Sequence, residues 1–519
     1  MNISGIPVSM GDWGRIIEER LGDDEPILNL ENDGDGTYDT VFVGGGAAGR
    51  FGAAYLKALG GRPLVIDAWP FLGGSCPHQA CVPHHLFSEV AAILDRERWF
   101  AGELWFPPFD ESAVGILQVV DVFRRGRVAA HAFMNWQTKT QLDVEYVLNA
   151  PARPIDPHTV EAVGRTFRTR SIVLANGAHQ NALDIPGGDL PGVYDFATLV
   201  EDLDYEPRRC VVIGGSKVAV EYSSFFQATG CQTTILTRSP LLRTANLHHV
   251  DEDLRGYVVD GMRTRGIEII EGAIPVEIKG AERVERVLAY GPGGETLDLE
   301  CDFVFNGIGE TPNSALARQC LGVEVGPRDE ILVDRRMRTS VEDVYAVGDL
   351  IGPPMEMFKA RKCGMTAARN IMGDPHEFDF SEYPDFLHST YEVTWVGLTE
   401  AEARQRHDNI VVIQMPPKGM GNDEVPLPCS EGTMLYAFMK PELSGFQKCV
   451  IDSDSRRVLG FHHVGYGAKD AFQYLDYLLR RPEGLTIDEM GQMNELFLNP
   501  EHFIQLCRLR AGRSELVDL

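Results

Sequence analysis

Two cysteines five residues apart, Cys76 and Cys81, are the most reactive pair of side chains in this sequence. They lie in the segment GSCPHQACVPHH, and their spacing lets them join within one helical turn and its lead-in. A competing interpretation is a metal site, since His78 and His84 lie between and just after the cysteines. Structural zinc favours tighter Cys-x-x-Cys pairs, so no metal is expected and a redox-active pair is the better interpretation.

A glycine-rich segment precedes the cysteines and has the spacing of a dinucleotide site. Gly44, Gly46 and Gly49 follow a strand-like run and open a helix, and Asp67 ends the next strand. In such a unit the glycines make the turn, admit a pyrophosphate and let the helix pack, while the acid accepts a ribose hydroxyl. The alternative is an ordinary turn between a strand and a helix. We predict a dinucleotide site here that also includes Ala48.

A second strand–glycine–helix–strand unit begins at Gly214, and its composition favours a different nucleotide. Ser216 replaces the middle glycine and is small enough to allow a phosphate to approach. No acid ends the second strand, where the sequence has Arg238 and Arg243 instead. Arginine favours a 2′-phosphate, so the unit predicts NADPH over NADH, although two solvated surface arginines are the alternative. The residues expected to bind NADPH are Gly214, Gly215, Ser216, Glu221, Arg238 and Arg243.

Length and composition narrow the class of protein. The 519 residues allow about three domains, and 44% hydrophobic with 24% charged residues is typical of a globular chain. The net charge of −28 argues against nucleic acid or an anionic membrane as a partner. No secretory signal or membrane-spanning run is found, and the ten cysteines are scattered through a long chain. These features predict a cytoplasmic protein.

From about residue 38 onward the sequence resembles the pyridine nucleotide–disulfide oxidoreductases. The motifs that carry the resemblance are residues 44–49, the spacing of Cys76 and Cys81, residues 175–177 and residues 339–349. The resemblance implies FAD bound by the first unit, Gly177 and Asp349, and NADPH bound by the second. It also implies that Cys76 attacks the substrate, that Cys81 contacts the flavin, and that a homodimer completes each active site across its interface.

The predicted fold is α/β, with two Rossmann-like dinucleotide-binding domains and an α+β C-terminal interface domain. The expected limits are 1–37 for an N-terminal extension, 38–195 and 301–375 for the two parts of the FAD domain, 196–300 for the NADPH domain and 385–519 for the interface domain.

The chain departs from the common family pattern at several positions. Phe497 and His502 stand where most members have the histidine and glutamate of an acid–base pair, and Phe497 cannot donate a proton. His84 stands near the flavin where lysine is usual. Arg50 and Arg361 lie on helices expected to line one cleft, which favours an anion clamp over two ordinary salt-bridged arginines.

These departures are similar to one branch of the family, which cleaves the thioether of 2-oxopropyl-coenzyme M and joins the product to carbon dioxide. The resemblance implies that Arg50 and Arg361 hold a sulfonate, that His131 and Met134 line the cavity, and that His502 stabilises an enolate. It counts Cys76, Cys81, His84, Phe497 and His502 as catalytic. Two alternatives stay open: an NADPH-dependent reductase of a small disulfide, and a non-catalytic flavin scaffold or redox sensor.

Overall fold

The structure is a computed structural model that describes most of the chain from residue 25 to residue 492. The described residues are 25–34, 36–104, 107, 108, 110, 114–244, 247, 250–380, 383–390, 392–415, 434–465, 467, 468, 472–490 and 492. Within these ranges no helix has both the length and the apolar character needed to cross a membrane. Phe497 and His502 lie outside the described residues.

The first sheet is built around parallel strands that are buried on both faces. Its strands are β1 (Ile27–Asn29), β2 (Thr37–Val43), β3 (Pro63–Ile66), β4 (Glu145–Leu148), β5 (Arg153–Asp156), β6 (Thr159–Ala162), β7 (Arg165–Leu174) and β18 (Val344–Ala346). They follow the order β1-β4-β3-β2-β7-β6-β5, and β18 pairs with β7. Strands β4, β3, β2, β7 and β18 are mutually parallel. All four residues of β3 are buried, as expected for the apolar strands of a parallel sheet.

The second sheet is parallel throughout the residues described. Its strands are β9 (Val193–Tyr194), β10 (Arg209–Ile213), β11 (Gln232–Thr237), β12 (Glu268–Glu271) and β16 (Phe303–Asn306), in the order β12-β11-β10-β16-β9. The sheet therefore extends beyond the predicted limits 196–300 at both ends. Strands β9 and β16 carry no glycine motif, and parallel partners can be far apart in sequence, so sequence patterns do not mark them.

The other sheets are antiparallel. They are β13 (Ile274–Lys279), β14 (Arg286–Tyr290) and β15 (Thr296–Glu300); β8 (Ala178–Gln180) with β17 (Glu310–Pro312); and β19 (Asp385–His388), β20 (Glu392–Gly397), β21 (Ile410–Met415), β22 (Phe446–Asp452) and β23 (Val458–Val464). The C-terminal sheet has the order β19-β20-β23-β22-β21. The predicted architecture, two Rossmann-like sheets followed by an α+β unit, is confirmed.

Helices cover these sheets and begin close to the predicted functional residues. They are α1 (Ala47–Ala58), α2 (Ser75–His78), α3 (Cys81–Phe100), α4 (Ile116–Thr140), α5 (Phe196–Asp202), α6 (Lys217–Ala228), α7 (Glu252–Thr264), α8 (Ala315–Leu321), α9 (Met357–Ile371), α10 (Glu400–Arg406), α11 (Met434–Met439), α12 (Phe472–Leu479) and α13 (Ile487–Met490). Short 3₁₀ helices cover Glu31–Gly34, Gly348–Ile351 and Pro441–Leu443.

Helix α3 joins the two nucleotide units, because it starts at a reactive cysteine and packs along α6. The rings of Phe87 and Phe225 stack with centroids 4.5 Å apart. Further along α3, Asp95 accepts two hydrogen bonds of 2.8 Å from Arg265, at the end of α7. Stacked rings and a buried two-pronged ion pair fix the orientation of α3 relative to the second unit.

Candidate active site

Cys76 and Cys81 lie together at the turn from α2 into α3, and the structure holds both as free thiols. They hydrogen-bond to one another, and that bond together with the positive charge of Arg361 lowers the pKa of Cys76, although burial opposes the shift. The same bond, together with burial, raises the pKa of Cys81. The opposite directions of these two shifts favour the thiolate form on Cys76 over Cys81, which makes Cys76 the better nucleophile of the pair.

Met357 links Cys76 to one of the predicted arginines. Its Sδ atom lies 3.6 Å from the Sγ atom of Cys76 and 2.9 Å from a guanidinium nitrogen of Arg361. Met357 and Arg361 are four residues apart on α9, so their side chains lie on the same face of the helix. The reactive sulfur and a cation are therefore separated by a single thioether.

Arg50 and Arg361 meet across the ring of Phe51, with guanidinium carbons 6.0 and 4.8 Å from its centroid. Arg50 is only 6% exposed and donates to Thr138 Oγ1 at 2.8 Å and to Gln137 Oε1 at 2.6 Å. Burial and the like charge of Arg361 lower the pKa of Arg50 to about 10, which still leaves it protonated at neutral pH.

Neither arginine forms an ion pair with a carboxylate of the described part of the chain. The hydrogen-bond partners of Arg50 there are neutral, and the Nε atom of Arg361 is buried and has no partner among the same residues. A buried cation without a counter-charge is costly, and a bound anion removes that cost. The structure thus brings the two predicted arginines together in an arrangement that suits a small anion.

His131 and Met134 lie on α4, on the side of the cysteine pair. The His131 ring stacks on Phe71 with centroids 3.9 Å apart and lies 5.2 Å from the ring of His78. Burial, with the charge of Arg127, lowers the pKa of His78 to about 4, and burial lowers that of His131 to about 3. Both imidazoles are therefore neutral at physiological pH.

His84 faces the second nucleotide unit. Its Nε2 atom lies 2.9 Å from the Oε2 atom of Glu221, a side chain that is 4% exposed. The Oε1 atom of Glu221 accepts a hydrogen bond from the backbone amide of His388 at 2.7 Å. Burial would raise the pKa of Glu221, but His84 and Lys217 outweigh it and lower the pKa. Glu221 was predicted to bind NADPH, and that role stays a prediction. Its observed partner is a histidine one turn beyond Cys81, which sequence reasoning did not anticipate.

The first nucleotide unit has the geometry expected of a dinucleotide-binding site. Gly44 has φ +108°, and a Cβ at Gly49 would lie 1.9 Å from the Gly44 carbonyl oxygen, so both positions need glycine. Helix α1 begins after Gly46 with no side-chain cap, and a Cβ at Gly46 would have only Gly74 Cα, at 3.7 Å, within 4 Å. The amides of the first turn are therefore open to a pyrophosphate.

The remaining predicted FAD residues lie around this helix. Asp67 accepts the amides of Gly45 and Trp69 at 2.5 and 2.8 Å, and burial raises its pKa to about 6, so it is ionised at neutral pH. Ala48 is buried in α1. Gly177 directly precedes β8, and a Cβ added there would meet no atom within 4 Å. Burial also raises the pKa of Asp349, while the charge of Lys359 opposes that shift.

At the second unit the two predicted arginines differ. Arg238 is exposed just beyond β11 and forms no ion pair with the residues that the structure describes. Arg243 is bound to Glu252 and donates to the Val250 carbonyl at 2.6 Å. Arg238 is consequently the better placed of the two for a nucleotide phosphate. The Oγ atom of Ser216 caps α6 through the amide of Ala219.

Sequence reasoning missed several residues of this site. Gln137 and Thr138 hold Arg50, Met357 bridges Cys76 and Arg361, and Lys217 and Glu356 form an ion pair nearby. Of these residues, only Met357 could have been found from the sequence, because its spacing of four residues from Arg361 puts both on one face of a predicted helix. The other contacts join segments that are distant in sequence.

Comparison with known proteins assigns the chain to a family. Residues 38–364 match the model of the pyridine nucleotide-disulphide oxidoreductases, and residues 383–501 match the dimerisation domain of the same family. The chain is 25% identical to a mercuric reductase of Lysinibacillus sphaericus, over 94% of this chain and 86% of that protein. It is 26% identical to a dihydrolipoyl dehydrogenase of Thermus scotoductus, over 88% and 93%.

A solved structure shows the same fold. The HOCl-induced flavoprotein disulfide reductase RclA from Escherichia coli superposes with a TM-score of 0.74 at 20% identity, covering 90% of this chain and 98% of that one. The family model matches well over half of the chain. The protein is therefore a member of the pyridine nucleotide-disulphide oxidoreductase family, whose members bind FAD, use NAD(P)H and carry a redox-active cysteine pair.

Proposed function

We propose that the enzyme cleaves the thioether of 2-oxopropyl-coenzyme M with electrons from NADPH and joins the three-carbon product to carbon dioxide. The products are acetoacetate, coenzyme M and NADP+. The observation that carries this proposal is the pair of arginines over the ring of Phe51, the buried Arg50 and the half-buried Arg361, which form no ion pair with a carboxylate among the described residues. Arg361 also contacts Met357, whose sulfur lies 3.6 Å from the Sγ atom of Cys76.

The arginine pair suits the shape and charge of this substrate. Coenzyme M carries a sulfonate two carbons away from its sulfur, and a guanidinium fork binds such oxyanions through parallel hydrogen bonds. One methionine sulfur separates Arg361 from Cys76, so a short anion held by the arginines has its own sulfur close to the nucleophile. A bulky peptide disulfide offers no matching anion at this distance.

The chemistry follows from the thiolate. Cys76 attacks the thioether sulfur, so that a bond forms between the two sulfurs while the carbon–sulfur bond breaks. Its electron pair leaves with the three-carbon group as the enolate of acetone, which adds to carbon dioxide. Cys81 then attacks the mixed disulfide on Cys76 and releases coenzyme M. Bound FAD supplies the electrons of NADPH that reopen the resulting disulfide.

The enolate reaches carbon dioxide when the side chains that contact Cys76 or line the cavity beside it do not protonate the enolate first. His78 and His131 are neutral, and Met357 next to Cys76 carries no proton to donate. Phe497 occupies the usual acid position in the sequence, and His502 is proposed to stabilise the enolate oxygen. A proton-poor site favours attack on carbon dioxide over release of acetone.

Phe497→His restores the common acid and tests this part of the proposal. A positioned general acid adds about 10²–10⁴-fold to the step it serves. Because His502 replaces the glutamate that would orient the new histidine, we expect a partial shift from acetoacetate to acetone at fixed carbon dioxide. Phe497→Leu, which is also apolar, serves as the control. An unchanged product ratio in a variant that still cleaves the thioether would show that proton exclusion does not depend on Phe497.

Product analysis separates this function from the runner-up, an NADPH-dependent reductase of a small disulfide. The enzyme is supplied with NADPH, labelled carbon dioxide and 2-oxopropyl-coenzyme M, beside a parallel reaction with a small disulfide. Labelled acetoacetate supports the proposal. NADPH oxidation that occurs only with the disulfide would favour the runner-up. The match to a dimerisation domain supports a homodimer, and in our proposal the partner subunit completes each active site.

A further inference from the structure

A largely buried lysine, Lys217, whose side chain is 18% exposed, is shared by two carboxylates from distant parts of the chain. The Nζ atom of Lys217 lies 2.5 Å from Glu356 Oε1 and 2.5 Å from Asp385 Oδ1. Lys217 is the first residue of α6, Glu356 immediately precedes α9, and Asp385 begins β19. The cluster therefore joins the second nucleotide unit, helix α9 and the C-terminal sheet.

The charges in this cluster do not balance. One ammonium faces two carboxylates, and the nearby Glu221 already has His84 as a partner. A net negative charge is costly at a site with so little exposure to solvent. Binding of one additional proton by a carboxylate neutralises this charge. Burial raises the pKa of Glu356 although Lys217 opposes the shift, whereas the amide of Phe386 donates to Asp385 at 2.8 Å. Glu356 is the carboxylate better suited to accept that proton.

The cluster is close enough to sense the redox state of the cysteines. Glu356 precedes Met357, whose sulfur contacts Cys76, and its charge is among those that raise the pKa of Cys81. The titratable groups that act on Glu356 or respond to its charge come from several elements: Lys217, Glu221, Asp385, Cys81, Glu310 and Tyr383. Reduction of the disulfide adds a negative charge near these carboxylates and so favours protonation of one whose pKa burial already raises, such as Glu356. Asp349, whose pKa burial also raises, is the other carboxylate whose charge acts on the cysteine pair.

We propose that Glu356, which is paired with Lys217 and precedes the methionine that contacts Cys76, takes up one proton when the disulfide is reduced and releases it on reoxidation. With two electrons, the disulfide and one proton give the Cys76 thiolate and the Cys81 thiol. A second proton, from solvent, converts the Glu356 carboxylate to the acid. This inference rests on the family's cysteine-pair chemistry and not on the thioether substrate, so either can fail without the other.

The pH dependence of the midpoint potential of the cysteine pair measures these protons directly. The potential falls with pH in proportion to the protons taken up per two electrons, about two in the wild type and about one in Glu356→Gln. We therefore expect the slope to halve in Glu356→Gln, a variant of nearly the same shape. Asp385→Asn should also reduce the slope, because Lys217 then neutralises Glu356 alone.

A matched control exists at a second buried lysine. Lys448 is 1% exposed and lies 2.9 Å from Asp251, 2.7 Å from Asp253 and 2.7 Å from Glu400. Asp253→Asn removes a carboxylate from that lysine, and its slope should equal that of the wild type. All titrations use FAD-loaded enzyme. A wild-type slope retained in both Glu356→Gln and Asp385→Asn would overturn the proposal, and so would a wild-type slope that already corresponds to one proton.

Discussion

The molecule buries arginines in two contrasting ways. Arg265 and Asp95 form a two-pronged ion pair in which both side chains are almost fully buried, with exposures of 6% and 1%. Arg50 is buried to a similar degree, yet its hydrogen-bond partners are the neutral side chains of Gln137 and Thr138. The ion pair joins α3 to the end of α7. Arg50 instead shares the ring of Phe51 with Arg361, which contacts the methionine next to Cys76.

This difference separates an arginine that stabilises the fold from one that is kept for a ligand. A paired arginine has its charge offset within the protein, so its removal or that of its partner is felt mainly as lost stability. An arginine that lacks a carboxylate among the described residues carries an uncompensated charge that a bound anion can offset. An uncompensated buried charge lowers the stability of the fold, and such losses are typical of sites that are kept for binding.

The largest expected effect on activity comes from replacing Arg50 and Arg361, the two arginines without a carboxylate partner among the described residues. The double variant Arg50→Ala/Arg361→Ala should lower kcat/KM for the sulfonate-bearing thioether by about 10²–10⁴-fold, since each charge-assisted contact contributes about 1.5–3 kcal/mol. Reduction of FAD by NADPH should stay near the wild-type rate, as measured by flavin absorbance. Arg361→Lys, which keeps the charge but loses the fork, should fall in between. Loss of bound FAD in Arg50→Ala would instead show that Arg50 serves the pyrophosphate.

Breaking the ion pair between Arg265 and Asp95 should have the opposite effect, with a large loss of stability and little change in activity. Asp95→Ala leaves Arg265 buried without its carboxylate and should cost about 3–5 kcal/mol of stability in urea unfolding of the FAD-loaded protein. Activity at low temperature should change little. Asp298→Ala removes one of two carboxylates that pair with Arg286 at the surface, and the variant should unfold like the wild type. Equal stability of the Asp95 and Asp298 variants would remove the distinction between the two kinds of arginine.

The smallest expected effect concerns Arg238, the exposed arginine at the second nucleotide unit. Arg238→Ala should erase most of an at least tenfold preference for NADPH over NADH, because this free guanidinium can bind the 2′-phosphate. Arg243→Ala is the matched control, since Arg243 is already bound to Glu252. The ratio of kcat/KM values for the two nucleotides decides the point. An unchanged ratio in Arg238→Ala would place phosphate recognition elsewhere.

The parts of this account that could be predicted from sequence are those encoded locally. The glycine spacing around Gly44 and Gly214 predicted both nucleotide units, and the spacing of Cys76 and Cys81 predicted the redox pair. Turn geometry and helix starts depend on neighbouring residues, so short motifs reveal them. The family resemblance added the expectation that Arg50 and Arg361 lie near one another, which the structure shows.

Contacts between distant segments could not be predicted in this way. Glu221 pairs with His84 across 137 positions of sequence, and Lys217 pairs with Glu356 across 139. Strand β16 joins the second sheet from beyond its predicted limit for the same reason. Such contacts depend on how α3, α6 and α9 pack, and neither composition nor periodicity specifies that packing.

Trapping of the first covalent product tests the central claim most directly. Enzyme is reduced with NADPH, freed of excess nucleotide, mixed with 2-oxopropyl-coenzyme M and analysed by peptide mass spectrometry before any further reduction. We predict coenzyme M as a mixed disulfide on Cys76 in a Cys81→Ser variant, where no second thiol can release it. The adduct should be strongly reduced when Arg50 and Arg361 are both replaced by alanine. A reduced enzyme whose Cys76 reacts with small disulfides but never acquires coenzyme M from the thioether would contradict the account.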